Sequence, residues 1–203
     1  MAGYIGNFPT AIPLSGTDIA DGTITNSDLA NSSVTVNGTS ISLGASGNIS
    51  AGITVADNWR LTTNFTGNAQ PIASNLAQVN SDGQGTLGSA MTVSSGVFTF
   101  PSTGIYLVGF DVLFFNSVGN DSRIDFEIQV SVDGGSNWNA RAKGFTENAS
   151  GGGETSGQCK SLIDVNDTSQ IKVRFDIANN QNTVRGSSAN NQTSMMFIRL
   201  GDT

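Results

Sequence analysis

The chain has 203 residues, of which Gly, Ser, Thr and Asn make up 91; only 12% are charged, and the net charge is −7. Three Lys and three Glu are too few for a helical bundle, 37% hydrophobic residues with 11 Phe are too many for a disordered chain, and the acid excess argues against a nucleic-acid backbone as partner. There is no His and a single Cys, which excludes Ser-His-Asp and Cys-His catalysis, His-ligated metals, Cys-only zinc sites and an intrachain disulfide.

The chain opens Met1-Ala-Gly-Tyr-Ile-Gly-Asn-Phe-Pro, without the basic and apolar regions of a secretory signal. No apolar run approaches the ~20 residues of a membrane helix. Synthesis and folding in a cytosol, with no membrane insertion, are therefore expected. Residues 1–59 contain no Lys or Arg, four acids (Asp18, Asp21, Asp28 and Asp57), and only Tyr4 and Phe8 as aromatics before Trp59. A large core belongs to the second part of the chain.

Within the first part, Ser33-Val-Thr-Val-Asn-Gly-Thr-Ser-Ile-Ser-Leu-Gly alternates apolar and polar residues on both sides of an Asn-Gly turn. This predicts a short hairpin with one sparse apolar face, too small to be stable alone. Ile24, Leu29, Val34, Val36, Ile41, Leu43, Ile49, Ile53 and Val55 recur regularly, so other copies of the chain are expected to cover them. The expected organisation is an N-terminal anchor over 1–20, a β-rich stalk over 21–56 and a head over 57–203.

The head shows short strand patterns separated by Gly, Asn and Ser clusters, at roughly 59–65, 86–92, 97–100, 104–116, 123–132, 138–146, 157–164, 169–178 and 193–201. The expected fold class is all-β, an antiparallel jelly-roll sandwich. In the strand from Ile105, one face presents Tyr106, Val108, Phe110, Val112 and Phe114, and the other Ile105, Leu107, Gly109, Asp111, Leu113 and Phe115. The closing strand places Met196, Ile198 and Leu200 on one side, and Met195 and Phe197 on the other. A sandwich strand with one wet face is polar on that face. Strands that are apolar on both faces predict a covered outer face, and with no good helix in the sequence the expected cover is another subunit.

Ser131-Val-Asp-Gly-Gly-Ser-Asn-Trp fits the Asp-box pattern found repeatedly in sialidase propellers. It occurs once here, where a propeller repeats it from blade to blade. Asp133, Gly135 and Trp138 are therefore expected to form a structural turn between two strands. Asp121, Asp125 and Glu127, or Asp164 and Asp167, are the carboxylate groupings a glycosidase reading would use. Gly151-Gly-Gly has no following Lys or helix and does not make a phosphate loop. Cys159 reads as a small buried residue. No catalytic residue, cofactor or metal site is expected. Residues 148–157 and 179–192 are expected surface loops, and with Trp138 are where a ligand would be sought.

Gly96-Val-Phe-Thr-Phe-Pro-Ser-Thr-Gly-Ile-Tyr-Leu-Val-Gly-Phe-Asp-Val-Leu-Phe resembles the B′–C strand region of the tumour-necrosis-factor and complement-globular-head jelly rolls. Thr193-Ser-Met-Met-Phe-Ile-Arg-Leu-Gly-Asp resembles their last strand, and Val165-Asn-Asp-Thr-Ser-Gln-Ile-Lys-Val-Arg-Phe is similar to the turn and strand before it. The resemblance covers roughly 57–203 and implies a threefold trimer with the inner sheet on the axis. It places Leu107, Gly109, Asp111, Met196 and Ile198 at that axis, and Tyr106, Val108, Phe110, Val112, Phe114 and Phe197 in the sandwich core. Gly109 stands where that family often has an aromatic, which implies a different packing of the axis.

The order of N-terminus, polar stalk and jelly-roll head also resembles fibre and appendage proteins of tailed bacteriophages. That resemblance implies a homotrimeric virion protein made in the bacterial cytoplasm. Its N-terminus would dock on other virion proteins and its head would contact a host cell-surface glycan or protein. A carbohydrate- or receptor-binding adhesin module and a polysaccharide depolymerase are the alternative expectations.

Overall fold

The structure is a computed structural model and describes residues 19–36, 38–49, 52–116, 123–147, 153–179 and 181–203. The chain divides into two compact units, Met1–Ala51 and Gly52–Thr203. Apart from Ile19 and Ala20, the expected anchor lies outside the described residues.

In the first unit, Asn26–Asp28 forms a single 3-10 turn whose entry is fixed by the Thr25 N–H donating to Asp28 Oδ2 at 2.8 Å. It is followed by β1 (Ser33–Val36) and β2 (Thr39–Ser42), antiparallel, with Val34 opposite Ile41 and Val36 opposite Thr39. The turn between them uses Gly38 at φ 76°, which a side-chain-bearing residue adopts only with strain. Val34, Val36, Ile24 and Leu29 are all exposed, and no described residue of this unit is buried.

The second unit packs two antiparallel sheets face to face. One has the order β10 (Asn139–Glu147), β9 (Arg123–Ser131), β12 (Lys172–Ala178), β7 (Val97–Thr99), β6 (Thr92–Ser94). The other runs β4 (Phe65–Thr66), β13 (Thr183–Val184), β8 (Gly104–Asn116), β14 (Ser194–Gly201), β3 (Val55–Leu61), β5 (Leu76–Gln78), with β11 (Gly153–Val165) also paired to β8. Period-two alternation sends Tyr106, Val108, Phe110, Val112 and Phe114 of β8, with Met195 and Phe197 of β14, into the space between the sheets, where each is buried. They meet Phe98, Phe126, Ile128, Val173 and Phe175 from the facing sheet. The aromatic rings interlock: Phe98 lies 5.2 Å from Phe197 and 5.5 Å from Phe175, and Phe110 lies 4.9 Å from Phe175.

Several strand expectations shift. The first head strand begins at Val55 rather than 59 and ends at Leu61, because its ladder with β14 already starts at Val55 opposite Arg199. The stretch 86–91 is not a strand: it contributes one bridge, Leu87 to Ala56, Gly88 turns the chain at φ 69°, and Thr92 opens β6. Residues 153–157, expected in a loop, extend β11, where the Thr155 and Thr146 hydroxyls share a 2.8 Å hydrogen bond. The tract 179–192, expected at the surface, carries β13 and the buried Asn179 and Asn182.

Candidate assembly face and surface sites

The seven-stranded sheet has a second face, turned away from the sandwich. Across it the ladders place Leu162 opposite Leu107, Leu107 opposite Ile198, Ile198 opposite Ala56, and Ala56 opposite Leu87. Directly paired residues share a face, so these five side chains form one apolar row across the sheet. Its ends are open, with Leu162 64% and Leu87 50% exposed, whereas Leu107 and Ile198 are half-buried by their neighbours. The next row holds Lys160, Gly109 and Met196, and the one after it Gln158, Asp111 and Ser194. A Cβ on Gly109 would meet Met196 and Lys160 at ordinary distances of 3.6–3.9 Å, so this glycine leaves room rather than filling a tight contact. The five residues expected at an axis thus lie on one face of the sheet, and the expected core residues lie on the other.

The turn after β9 is built on Asp133. Its Oδ1 accepts from Ser131 Oγ at 2.7 Å, the Ser136 N–H at 3.0 Å and the Asn137 N–H at 2.9 Å. Gly134 and Gly135 take φ 74° and 104°, and Trp138 Nε1 donates to the Gly135 carbonyl at 3.0 Å. The hydrogen bonds from Asn137, from Ser131 and from the Ser136 N–H hold the Asp133 carboxyl down to about 2. The Arg174 guanidinium lies 4.6 Å above the Trp138 ring. The Asp133 carboxylate is taken up by the turn's own donors, and the Gly134 N–H ties the turn to the Gln170 carbonyl at 2.9 Å, which is structural chemistry.

Three carboxylates line up on the outer face of the five-stranded sheet, and each is held by a cation: Asp125 by Arg123 at 2.8 Å, Glu127 by Lys143, and Asp176 by Arg174 at 3.1 Å. Burial raises the Asp176 carboxyl against the opposing pull of Arg174. Of the other candidates, Asp167 is held by Ser169, and Asp121 lies outside the described residues. Cys159 is buried, which pushes its thiol up to about 12 and leaves it unreactive.

Two arrangements have no local signature in the sequence. Asp57 is buried in β3 and accepts five hydrogen bonds: from the Asn58 and Met91 N–H groups, Trp59 Nε1, Gln78 Nε2 and Thr86 Oγ1, at 2.8–3.1 Å. Its donors run from Asn58 to Met91, a separation that no spacing rule connects. The second is an open depression of about 310 Å³ on the outward face of the seven-stranded sheet, lined by Asp111, Val112, Ser156, Gly157, Gln158 and Gln192.

No protein-family model matches the sequence, and no curated protein matches it. Among solved structures, Eiger TNF from S. frugiperda superposes with a TM-score of 0.55 at 10% identity, covering 75% of this chain and 96% of that one. Murine APRIL at pH 5.0 superposes with a TM-score of 0.54 at 13% identity, covering 72% of this chain and 98% of that one. The sandwich is a tumour-necrosis-factor-like jelly roll. In this TNF-like fold β8, β14, β3 and β11 belong to the seven-stranded sheet that carries the apolar row, and β9, β10 and β12 to the five-stranded sheet that carries the Asp133 turn. At these identities the likeness concerns the fold alone.

Proposed function

We propose that the protein is a homotrimeric virion appendage of a tailed bacteriophage, with its N-terminal part docked on the particle and its TNF-like head exposed for host attachment. The observation that carries this reading is the apolar row Leu162–Leu107–Ile198–Ala56–Leu87 on the sheet face opposite the core. A monomer leaves this row facing water, and exposed apolar patches of this kind mark sites of association. The N-terminal unit supports the same conclusion, since its Val34, Val36, Ile24 and Leu29 find no cover within it. The reading is non-enzymatic: Asp125, Glu127 and Asp176 are each neutralised by a cation, a poor arrangement for the free acid and base of a glycosidase.

Light scattering of the native chain tests the assembly. A mass three times the 21.0 kDa of one chain is expected, and a single-chain mass overturns the reading. Gold-labelled antibody against the C-terminus, imaged on particles, tests the location: label is expected at the outer end of an appendage, and particles without label overturn it.

A further inference from the structure

We infer that Thr86 and Gln78 join in an intramolecular ester, formed by attack of the Thr86 hydroxyl on the Gln78 carboxamide with Asp57 as the base. The inference goes beyond the appendage reading and does not depend on it. Asp57 stands opposite the core residue Phe197 on the ladder of β3 with β14, so the three groups lie on the inner side of the sheet, away from the apolar row.

β3 holds both reacting residues. Gln78 is the cross-strand partner of Trp59, and the Val79 N–H donates to the Asn58 carbonyl at 2.8 Å. The chain then turns, with Asp82 at φ 56° and Gly83 at φ 81°, and the Gln84 N–H donates to the Ser81 carbonyl at 3.0 Å. It returns to β3 at Leu87, whose N–H donates to the Ala56 carbonyl at 2.8 Å and whose carbonyl accepts the Ala56 N–H at 3.1 Å. Thr86 is thereby brought beside Gln78 over Asp57.

The polar contacts close a triangle. Thr86 Oγ1 lies 2.7 Å from Gln78 Nε2 and 3.1 Å from Asp57 Oδ1, and Gln78 Nε2 lies 2.9 Å from the same Oδ1. A carboxylate oxygen only accepts, so Oδ1 receives the Thr86 hydroxyl and one amide N–H of Gln78, and the Thr86 lone pairs are turned to the amide. The amide carbon is one bond of ~1.33 Å beyond Nε2, hence no more than about 4 Å from Oγ1. The last torsion of a Gln side chain is soft, so a modest turn of the amide brings its carbon into attack range, ~3–3.5 Å. Asp57 Oδ2 is fixed separately, by Trp59 Nε1 at 2.9 Å and the Met91 N–H at 2.8 Å, which holds the carboxylate still while Oδ1 handles the proton.

In the reaction a lone pair on Thr86 Oγ1 forms a bond to Gln78 Cδ, and the hydroxyl proton passes to Asp57 Oδ1. The Cδ–Nε2 bond then breaks, its electron pair stays on the nitrogen, and Oδ1 hands the proton to it. The products are the Thr86–Gln78 ester and ammonia, with Asp57 regenerated and no oxidant, reductant or co-reactant consumed. Burial of Asp57 keeps water from competing for the acyl carbon, and escape of ammonia to bulk solvent draws the exchange forward.

Mass spectrometry of the full chain tests this, with cleavage before aspartate as the second readout. The folded chain is expected to be lighter than its sequence by one ammonia. Cleavage at Asp57, Asp82 and Asp111 after denaturation should leave peptides 57–81 and 82–110 joined, and alkaline hydroxylamine should part them. Thr86→Val, with circular dichroism unchanged, is expected to lose no ammonia and to give separate peptides. Asp57→Asn, which keeps the shape of the side chain but takes up no proton, is expected to slow the loss of ammonia about a hundredfold or more. A folded chain that retains its ammonia after a week at neutral pH overturns the inference. So do separate peptides from the lighter chain, the mark of an Asn-Gly succinimide, and joined peptides from Thr86→Val.

Discussion

Leu107 and Ile198 stand directly opposite each other on neighbouring strands, on the sheet face turned away from the core. Both are half-buried in the single chain, so a substitution there disturbs the fold less than it disturbs association. Leu107→Arg is expected to leave the far-UV circular dichroism intact. It should weaken assembly by roughly 3 kcal/mol or more per copy, a hundredfold in association, because an unpaired charge would be buried between copies. Sedimentation over a dilution series reads the result.

Gly144 on β10 and Gly157 on β11 both abut the ring of Phe126, one from each sheet. A Cβ on Gly144 would lie 2.3 Å from Phe126 Cε2, and one on Gly157 2.4 Å from its Cζ. Gly144→Ala is therefore expected to destabilise by about 1–3 kcal/mol through overpacking. For a domain of this size that lowers Tm by ~2–4 °C per kcal/mol. Adding Phe126→Leu should recover part of the loss, because the smaller side chain makes room for the methyl; calorimetry of the single and double variants checks this.

Asp57 gathers the segment from Gln78 to Met91 onto β3. Asp57→Ala leaves the buried Met91 N–H and the part-buried Trp59 Nε1 without their acceptor, while Gln78 Nε2 keeps only Thr86 Oγ1. The expected cost is on the order of 3 kcal/mol or more. The Met91 amide should lose hydrogen-exchange protection ahead of amides in β8, and limited proteolysis should cut first between Gln78 and Met91.

Asp133 titrates at about 2 in the folded turn against an ordinary value of 3.8, held down chiefly by the Asn137 N–H. A depressed carboxyl contributes stability that is complete above the unfolded value and is lost as pH falls through the folded one. The turn is thus expected to hold at pH 4 and above and to loosen on the way down to about 2. The Asn137 amide shift should follow that titration in NMR, and Asp133→Asn should remove the titration.

What the sequence revealed depended on how far apart the interacting residues lie. The two faces of β8 could be read because alternation is a property of neighbours: Tyr106 and Leu107 must point opposite ways in any extended strand. Asp133, Gly135 and Trp138 could be read for the same reason, their bonds closing within a few residues. The Asp57 network, the ring of Phe126 between Gly144 and Gly157, and the meeting of Asp111 with Gln192 are products of sheet pairing between distant segments. The two-residue strands β4 and β13 are too short for any period. Residues 153–157 misled because Gly and Ser suggest a loop, whereas their pairing with β8 at Phe114 and Phe115 made them strand.

The position of β14 bears on biosynthesis. It is sandwiched in its sheet between β8 and β3, so that sheet stays split until residues 194–201 have left the ribosome. The head cannot complete this sheet before those residues are made, and the joining of β3 to β8 waits on them. A chain cut short before Ser194 therefore has no strand to bridge β8 and β3 and leaves both of their edges open.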